Sequence, residues 1–334
     1  MKMPSNHLES SDYLPPFGLR NTHVQTIMSS VGPRRVMVAK RFKPYANAQQ
    51  KWALDGGEGV RLEGYFNQAV KRQSSQMAIL IHGWEGSHNS SYMQSMAMLL
   101  LENGIDVFRL NLRDHGDTHQ LNKGIFNSTM IGEVVNAVED IQSSLVYPKY
   151  HLCGFSLGGN FGLRLAASAH DRSISLATVS AFCPAIHAAQ SNTVLNKRSN
   201  WLYGRYFVHK WKRSLRKKIE HWPDYDFGPE MESLKTLDQL NDALIPKYTG
   251  FGNVDDYFDA YAISGSVLDS TIAPCYLHFA ADDRIIPVEG VNQLSKNPNI
   301  HIMVTKFGGH CGYMSNWRGE SWQDQRVLEI IQQS

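Results

Sequence analysis

"CGFSLGGN", running from Cys153 to Asn160, sets one serine among three glycines: Gly154, Gly158 and Gly159 flank Ser156. Glycine and serine together often do no more than make a turn. Here the preceding "HLCGF" reads as a short apolar strand and Leu157–Ala169 as a small-residue helix. A G-x-S-x-G string between a strand and a helix marks a sharp turn that lifts a nucleophilic serine out of a sheet. The glycines permit the close backbone approach that such a strained turn requires. Ser156 then stands at a helix N-terminus, where the Leu157 N–H can meet a developing negative charge.

Outward from this turn, apolar strands alternate with helices. "MAILI" (Met77–Ile81), "IDVFRLNL", "ISLATVSAF", "PCYLHFA" and "IHIMVTKF" read as strands, and Tyr92–Glu102, Ser128–Leu145 and Trp322–Ile331 as helices. The alternation predicts an α/β architecture, a mostly parallel central sheet flanked by helices on both faces. Ligands bind such sheets at the carboxyl ends of the strands. Upstream, "RVMVAKRF" reads as a strand and "KWALDGGEGVRLEGYF" as a strand pair hinged at Asp55-Gly56-Gly57.

From Pro184 to about Ser270 the rhythm breaks. Lys197–Lys218 is dense in Lys and Arg, and Tyr203, Phe207, Trp211 and Leu215 recur on one helical face. This predicts a helical cap over 184–270, inserted between an N-terminal part of the core (1–183) and a C-terminal part (271–334). Trp201, Phe207 and Trp211 are expected to line an acyl pocket, with the lysines in water. Basic amphipathic helices also bind lipid headgroups, so Lys197–Lys218 is a candidate for peripheral contact with a membrane surface.

A serine hydroxyl needs a base to take its proton, and the base needs a carboxylate to orient it. "PCYLHFA" is followed by Ala281-Asp282-Asp283-Arg284, and "IHIMVTKF" by Gly308-Gly309-His310-Cys311-Gly312. Both groups fall just past a strand, on the same rim as Ser156. His310 is read as the general base. Asp283, four residues before Pro287, is preferred as its carboxylate over the adjacent Asp282. After "MAILI" comes His82-Gly83-Trp84-Glu85-Gly86. Gly83 lets the backbone approach a substrate; His82 and Gly83 are candidate substrate-binding residues, with His82 expected to fix the loop rather than act as a second base.

The segments "GLRNTHVQTI", "HGWEGSHNSSY", "GFSLGGN", "AADDRIIP" and "GGHCGY" resemble the α/β-hydrolase superfamily, and more narrowly its branch of YheT-type hydrolases and abhydrolase-domain lipases. The resemblance spans nearly the whole chain. It implies a Ser156–Asp283–His310 triad, with the Trp84 and Leu157 amides as an oxyanion hole. It also implies hydrolysis of carboxylic esters, including lipid esters, or acyl transfer to an alcohol. One segment departs from the pattern: relatives often carry Arg-Gly-Cys-Ser-Gly where this chain has Arg113-Asp114-His115-Gly116-Asp117.

Other chemistries fit less well. Asp114, His115, Asp117 and His119 are metal-ligand types, but no distant group of ligand-like spacing completes them, so neither metal nor cofactor is expected. His7 and Asp12 match the H-x4-D string of glycerolipid acyltransferases, without other features of that fold. A binding protein on this fold typically lacks a triad residue type, and all three are present. Net charge of +2 with no recognition motif gives no support for nucleic acid. Four scattered cysteines and no long apolar run lead to the expectation of a cytoplasmic protein.

Overall fold

The computed structural model describes residues 8–9, 13–69 and 75–334; His7 and Asp12 of the H-x4-D string lie outside these. Among the described residues nine strands form one sheet: β1 (Leu8–Glu9), β2 (Gln50–Asp55), β3 (Arg61–Asn67), β4 (Gln76–Ile81), β5 (Asp106–Asn111), β6 (Lys149–Phe155), β7 (Thr178–Phe182), β8 (Cys275–Ala280) and β9 (Ile300–Thr305). Their order is β1-β9-β8-β7-β6-β4-β5-β3-β2. Only β3 runs against its neighbours, pairing antiparallel with both β2 and β5. Every other pairing is parallel.

Helices cover both faces. In chain order they are α1 (Thr22–Ser30), α2 (Pro33–Ala48), α3 (Ser91–Glu102), α4 (Ile131–Ser144), α5 (Leu157–Ser168), α6 (Ala188–Asn196), α7 (Trp201–His221), α8 (Gly228–Ser233), α9 (Leu237–Tyr248), α10 (Val254–Asp259) and α11 (Trp322–Gln333). The period of two along β4 makes the layering visible. Met77, Ile79 and Ile81 pack into one core with Val138 of α4 and Phe161 of α5. Ala78 and Leu80 point the other way, into a core with Phe42, Met96 and Val327 of α2, α3 and α11. A strand buried on both faces carries no polar alternation, which is why "MAILI" is continuously apolar.

One upstream element differs from its sequence reading. "RVMVAKRF" lies in the helix α2, not in a strand. Pro33 occupies the start of the helix, where its missing N–H costs nothing and its fixed φ favours helix. Arg34, Val38 and Phe42, four residues apart, are the buried positions. Arg34 is held there by Gly319 O, Ser29 O and Ser95 Oγ.

Register brings the site to one rim. Ile81 pairs with Gly154, Phe155 with Phe182, and Ala280 with Thr305. Thus β4, β6, β7, β8 and β9 end together, and the turns after them meet. The helices α6 to α10 all lie between β7 and β8. Among the described residues no helix is long and apolar enough to cross a membrane.

Candidate active site

Ser156 sits at the tip of β6 with φ 54° and ψ −119°, a conformation that L-residues rarely adopt. Its N–H donates to Phe182 O at 2.8 Å. Two glycines make the turn possible. A Cβ on Gly154 would lie 2.3 Å from Gly158 O, and one on Gly158 would lie 2.3 Å from Ile81 O. No side chain fits either place. The Leu157 N–H opens α5 and, with the Trp84 N–H, has no hydrogen-bond partner among the described residues.

His310 Nε2 lies 2.9 Å from Ser156 Oγ, and its Nδ1 lies 2.9 Å from Asp283 Oδ2. The other carboxylate oxygen of Asp283 accepts the Ile285 and Ile286 N–H groups at 2.7 and 3.1 Å. The neighbouring Asp282 turns elsewhere: its Oδ1 accepts the Gly309 N–H at 2.9 Å. One acid therefore meets the imidazole, and the other braces the turn that carries it. Burial opposes charging of the His310 ring, but the Asp283 carboxylate, the Cys311 sulfur and the hydrogen bond to Asp283 outweigh it. Together they raise its pKa to about 9.

The helix α1 completes this corner. Thr26 Oγ1 accepts the His310 N–H at 2.9 Å, and Thr22 Oγ1 donates to Asp282 O at 2.7 Å. The fit is close: a Cβ on Gly309 would come within 2.6 Å of Thr26 Oγ1, and one on Gly312 within 2.6 Å of Gln25 O. The buried Gln25 joins Tyr13, Leu19 and Met314. The "GLRNTHVQTI" segment thus holds the histidine loop. The resemblance marked it, but only the fold gives it a task.

The loop after β4 presses against the serine. A Cβ on Gly83 would lie 3.2 Å from Ser156 Cβ and 3.1 Å from Phe155 O. Trp84 stacks on Phe207 at 5.2 Å and meets Trp211 edge-on at 5.4 Å. Phe207 and Trp211 border a space that Ser156 also borders. Two residues do not. Trp201 is 58% exposed, with the Arg205 guanidinium over its ring. His82 is fully buried behind the cleft. Its Nδ1 bonds Gly83 O and its Nε2 accepts the Leu112 N–H, which fixes the tautomer.

The "RDHGDTHQ" loop docks α7. Asp114, at φ 57°, pairs with the buried Lys218 at 2.8 Å, and Lys218 Nζ also reaches Asn122 O and Gly124 O. Asp117 pairs with Lys217, and His119 Nε2 meets Ser214 Oγ at 2.8 Å. His115 Nδ1 bonds Arg113 O. The four donors turn to separate partners. The expectation of lysines in water fails for α7: Lys212 and Lys218 are buried, and Lys210, Arg213 and Lys217 line the cleft. Elsewhere, Cys183, His310 and Cys311 bring donor atoms within 4.8 Å of one another, but both His310 nitrogens are already bonded to Ser156 and Asp283.

Two spaces meet at Ser156. One, of about 120 Å³, is bordered by Leu157, Phe207, Trp211, Phe258 and Ile286 and by no charged residue. The other, of about 570 Å³, is a broad cleft that also borders His310. An oxygen nucleophile, a base and a carboxylate in line beside an apolar pocket can perform acyl transfer.

Residues 79–223 match the family model described as the alpha/beta hydrolase fold. Among curated proteins, the chain is 24% identical to an abhydrolase domain-containing protein of Dictyostelium discoideum, over 98% of this chain and 84% of that one. It is 22% identical to the putative esterase YheT of Escherichia coli, over 96% and 93% of the two chains. It is 23% identical to the phospholipase ABHD3 of Bos taurus, over 90% and 74%. An esterase of Pyrococcus furiosus shares the fold with a TM-score of 0.55 at 17% identity, covering 88% of this chain and 92% of that one. The chain has the α/β-hydrolase fold. Within it, the relatives are those of the YheT-type and abhydrolase-domain branch.

Proposed function

We propose that the chain is a serine carboxylic-ester hydrolase acting through an acyl-enzyme on esters with a hydrophobic acyl group. One observation carries this reading: the continuous path from Asp283 through His310 to Ser156, 2.9 Å at each step. His310 Nε2 takes the Ser156 proton as Oγ bonds the ester carbonyl carbon. The carbonyl electron pair moves onto oxygen, where the Trp84 and Leu157 N–H groups hold it, each contributing about 3 kcal/mol. Collapse breaks the bond to the alcohol, which leaves with the proton from His310. Water then repeats the sequence and frees the acid. Residues 184–270 form the cap, supplying the aromatic wall of the acyl pocket. Relatives named as an esterase, a phospholipase and a monoacylglycerol lipase agree with ester chemistry.

A fluorophosphonate probe tests the reading, with labelling expected on Ser156 and none on the Ser156→Ala chain. Labelling elsewhere, or none, refutes it. The uncharged lining of the small pocket adds a second expectation. In a p-nitrophenyl ester series, kcat/KM should rise by about fourfold per methylene from acetate toward hexanoate. A series that is flat or falling contradicts the pocket assignment.

The base must be neutral to accept the serine proton, and its raised pKa keeps it charged at neutral pH. The rising limb of kcat/KM against pH is therefore expected above the ordinary histidine value of 6.5 and toward 9. A limb at or below 6.5 would mean that His310 is not held by Asp283 in the working enzyme.

A further inference from the structure

We propose that Cys311 is a site of oxidation by small hydroperoxides, and that Cys183 resolves the product into a disulfide that switches off the neighbouring His310. The oxidation site rests on the two cysteines themselves; its effect on turnover rests on the serine-hydrolase reading. The two sulfurs lie within 4.8 Å of one another. Each faces the other's backbone: the Cys311 N–H donates to Cys183 Sγ at 3.5 Å, and the Cys311 thiol donates to Phe182 O at 3.4 Å. Side chains that cross in this way point toward each other, as a disulfide of about 2.05 Å requires. Both residues have positive φ, 45° for Cys183 and 53° for Cys311, a conformation that persists only where the surroundings impose it.

The pair is asymmetric. Cys311 borders the cleft that also holds Ser156, whereas Cys183 is fully buried behind it. Burial opposes the Cys311 thiolate, but the hydrogen bond from Cys183 and the charged His310 ring outweigh it and lower the Cys311 pKa. Burial holds the Cys183 thiol well above its usual value. The other two cysteines, Cys153 and Cys275, border neither space at Ser156, and burial raises both thiols. Position and acidity select Cys311 as the sulfur that meets an oxidant, and Cys183 as the one that follows.

The Cys311 thiolate attacks one peroxide oxygen and the O–O bond breaks. The other oxygen leaves as an alcohol, or as water from hydrogen peroxide, with the proton the thiol gave up. The sulfur is oxidised to a sulfenic acid as the peroxide is reduced. The Cys183 sulfur then displaces the sulfenic oxygen, which leaves as water with the Cys183 proton, and a dithiol reductant reverses the linkage. Closing the S–S bond draws the sulfurs off Phe182 O and the Cys311 N–H. The histidine loop has no room to absorb this against α1, where a Cβ on Gly309 or Gly312 would come within 2.6 Å of Thr26 Oγ1 or Gln25 O. The movement therefore falls on His310, one residue before Cys311, whose bonds to Ser156 and Asp283 are 2.9 Å each. A misplacement of about 1 Å costs about 100-fold in rate.

The test treats the full chain with hydrogen peroxide, blocks the remaining thiols with iodoacetamide, and follows peptide masses beside turnover of p-nitrophenyl hexanoate. The expected result is a linked Cys183–Cys311 peptide, with Cys153 and Cys275 alkylated. Turnover should fall by about 10- to 100-fold as the linkage accumulates, and return when dithiothreitol is added. Cys183→Ser, which keeps the side chain's shape, should form no linkage, and a dimedone adduct should mark its Cys311. Dithiothreitol should restore less of its turnover, because a sulfenic acid without a partner proceeds to irreversible states. Absence of the linked peptide, a linked chain with unchanged turnover, or a Cys183→Ser chain that is inhibited and restored as the native one is, overturns the proposal while hydrolysis through Ser156 stands. If the untreated chain neither cleaves the ester nor takes the fluorophosphonate probe, the serine-hydrolase reading falls, and the linked peptide still decides the oxidation site.

Discussion

With alanine at position 156, hydrolysis of p-nitrophenyl hexanoate is expected to fall by about 10⁴- to 10⁶-fold, with the fold intact. The loss is large because Oγ is the atom that bonds the acyl group, and its bond to His310 Nε2 is the route by which its proton leaves. The fold survives because the turn does not depend on the hydroxyl. Its shape comes from the Ser156 N–H bond to Phe182 O and from the absence of side chains at Gly154 and Gly158. Alanine has the same Cβ and meets the same backbone cost at φ 54°. The thermal midpoint should move by only a few degrees, about the shift that ~1 kcal/mol produces in a domain of this size. Any remaining rate should reflect the backbone N–H groups and binding alone. Near-normal turnover by a clean preparation of the variant would remove Ser156 from the mechanism. A collapsed melting curve would instead mean that the hydroxyl is structural.

How much of this could be read from the residues depends on the range of the interactions. The serine turn was legible because its constraints are local: strand, glycines and helix all lie within a few residues of Ser156. So was the apolar run of β4, where burial on both faces leaves one kind of residue. The helix α2 reads as a strand because Val36, Met37 and Val38 form a short apolar, β-branched run. Its helical signals were Pro33 and the four-residue spacing of Arg34, Val38 and Phe42. The bracing of His310 by Thr26 spans 284 positions, so no local pattern could reveal it.

The sequence of α7 also marks which of its residues face inward. Tyr203, Phe207, Trp211 and Leu215 define its inner face. Lys218 follows Leu215 at three residues and shares that face, so its burial was foreseeable. Trp201 precedes Tyr203 by two residues, about 200° around the helix, and belongs outside. The aromatic residue type, rather than its position, drew it into the pocket. His82 was misplaced for a related reason: it adjoins Gly83 at the cleft, yet alternation turns the two residues to different sides of the strand end.

The pair Asp282 and Asp283 separates two tasks that adjacent residues of one type cannot distinguish in sequence. Asp283→Asn is expected to reduce kcat/KM by about 10⁴-fold. In the native site His310 Nδ1–H donates to Asp283 Oδ2, leaving Nε2 free to accept the serine proton. Asp283 Oδ1 is already fixed by the Ile285 and Ile286 N–H groups. An asparagine that keeps those bonds with its carbonyl oxygen turns its NH₂ toward Nδ1. The ring then holds its proton on Nε2, facing Ser156, and cannot act as a base. The lost charge also lowers the His310 pKa, so the residual activity should have its rising limb at lower pH than the native chain. Asp282→Asn differs in each respect. Its carbonyl oxygen can still accept the Gly309 N–H, and the Thr22 bond goes to the backbone. The expected loss is less than about tenfold, the scale of one weakened hydrogen bond. Measuring kcat/KM and the pH limb for both variants separates the tasks. Equal losses would make the two acids a single unit, and a reversed order would transfer the orienting role to Asp282.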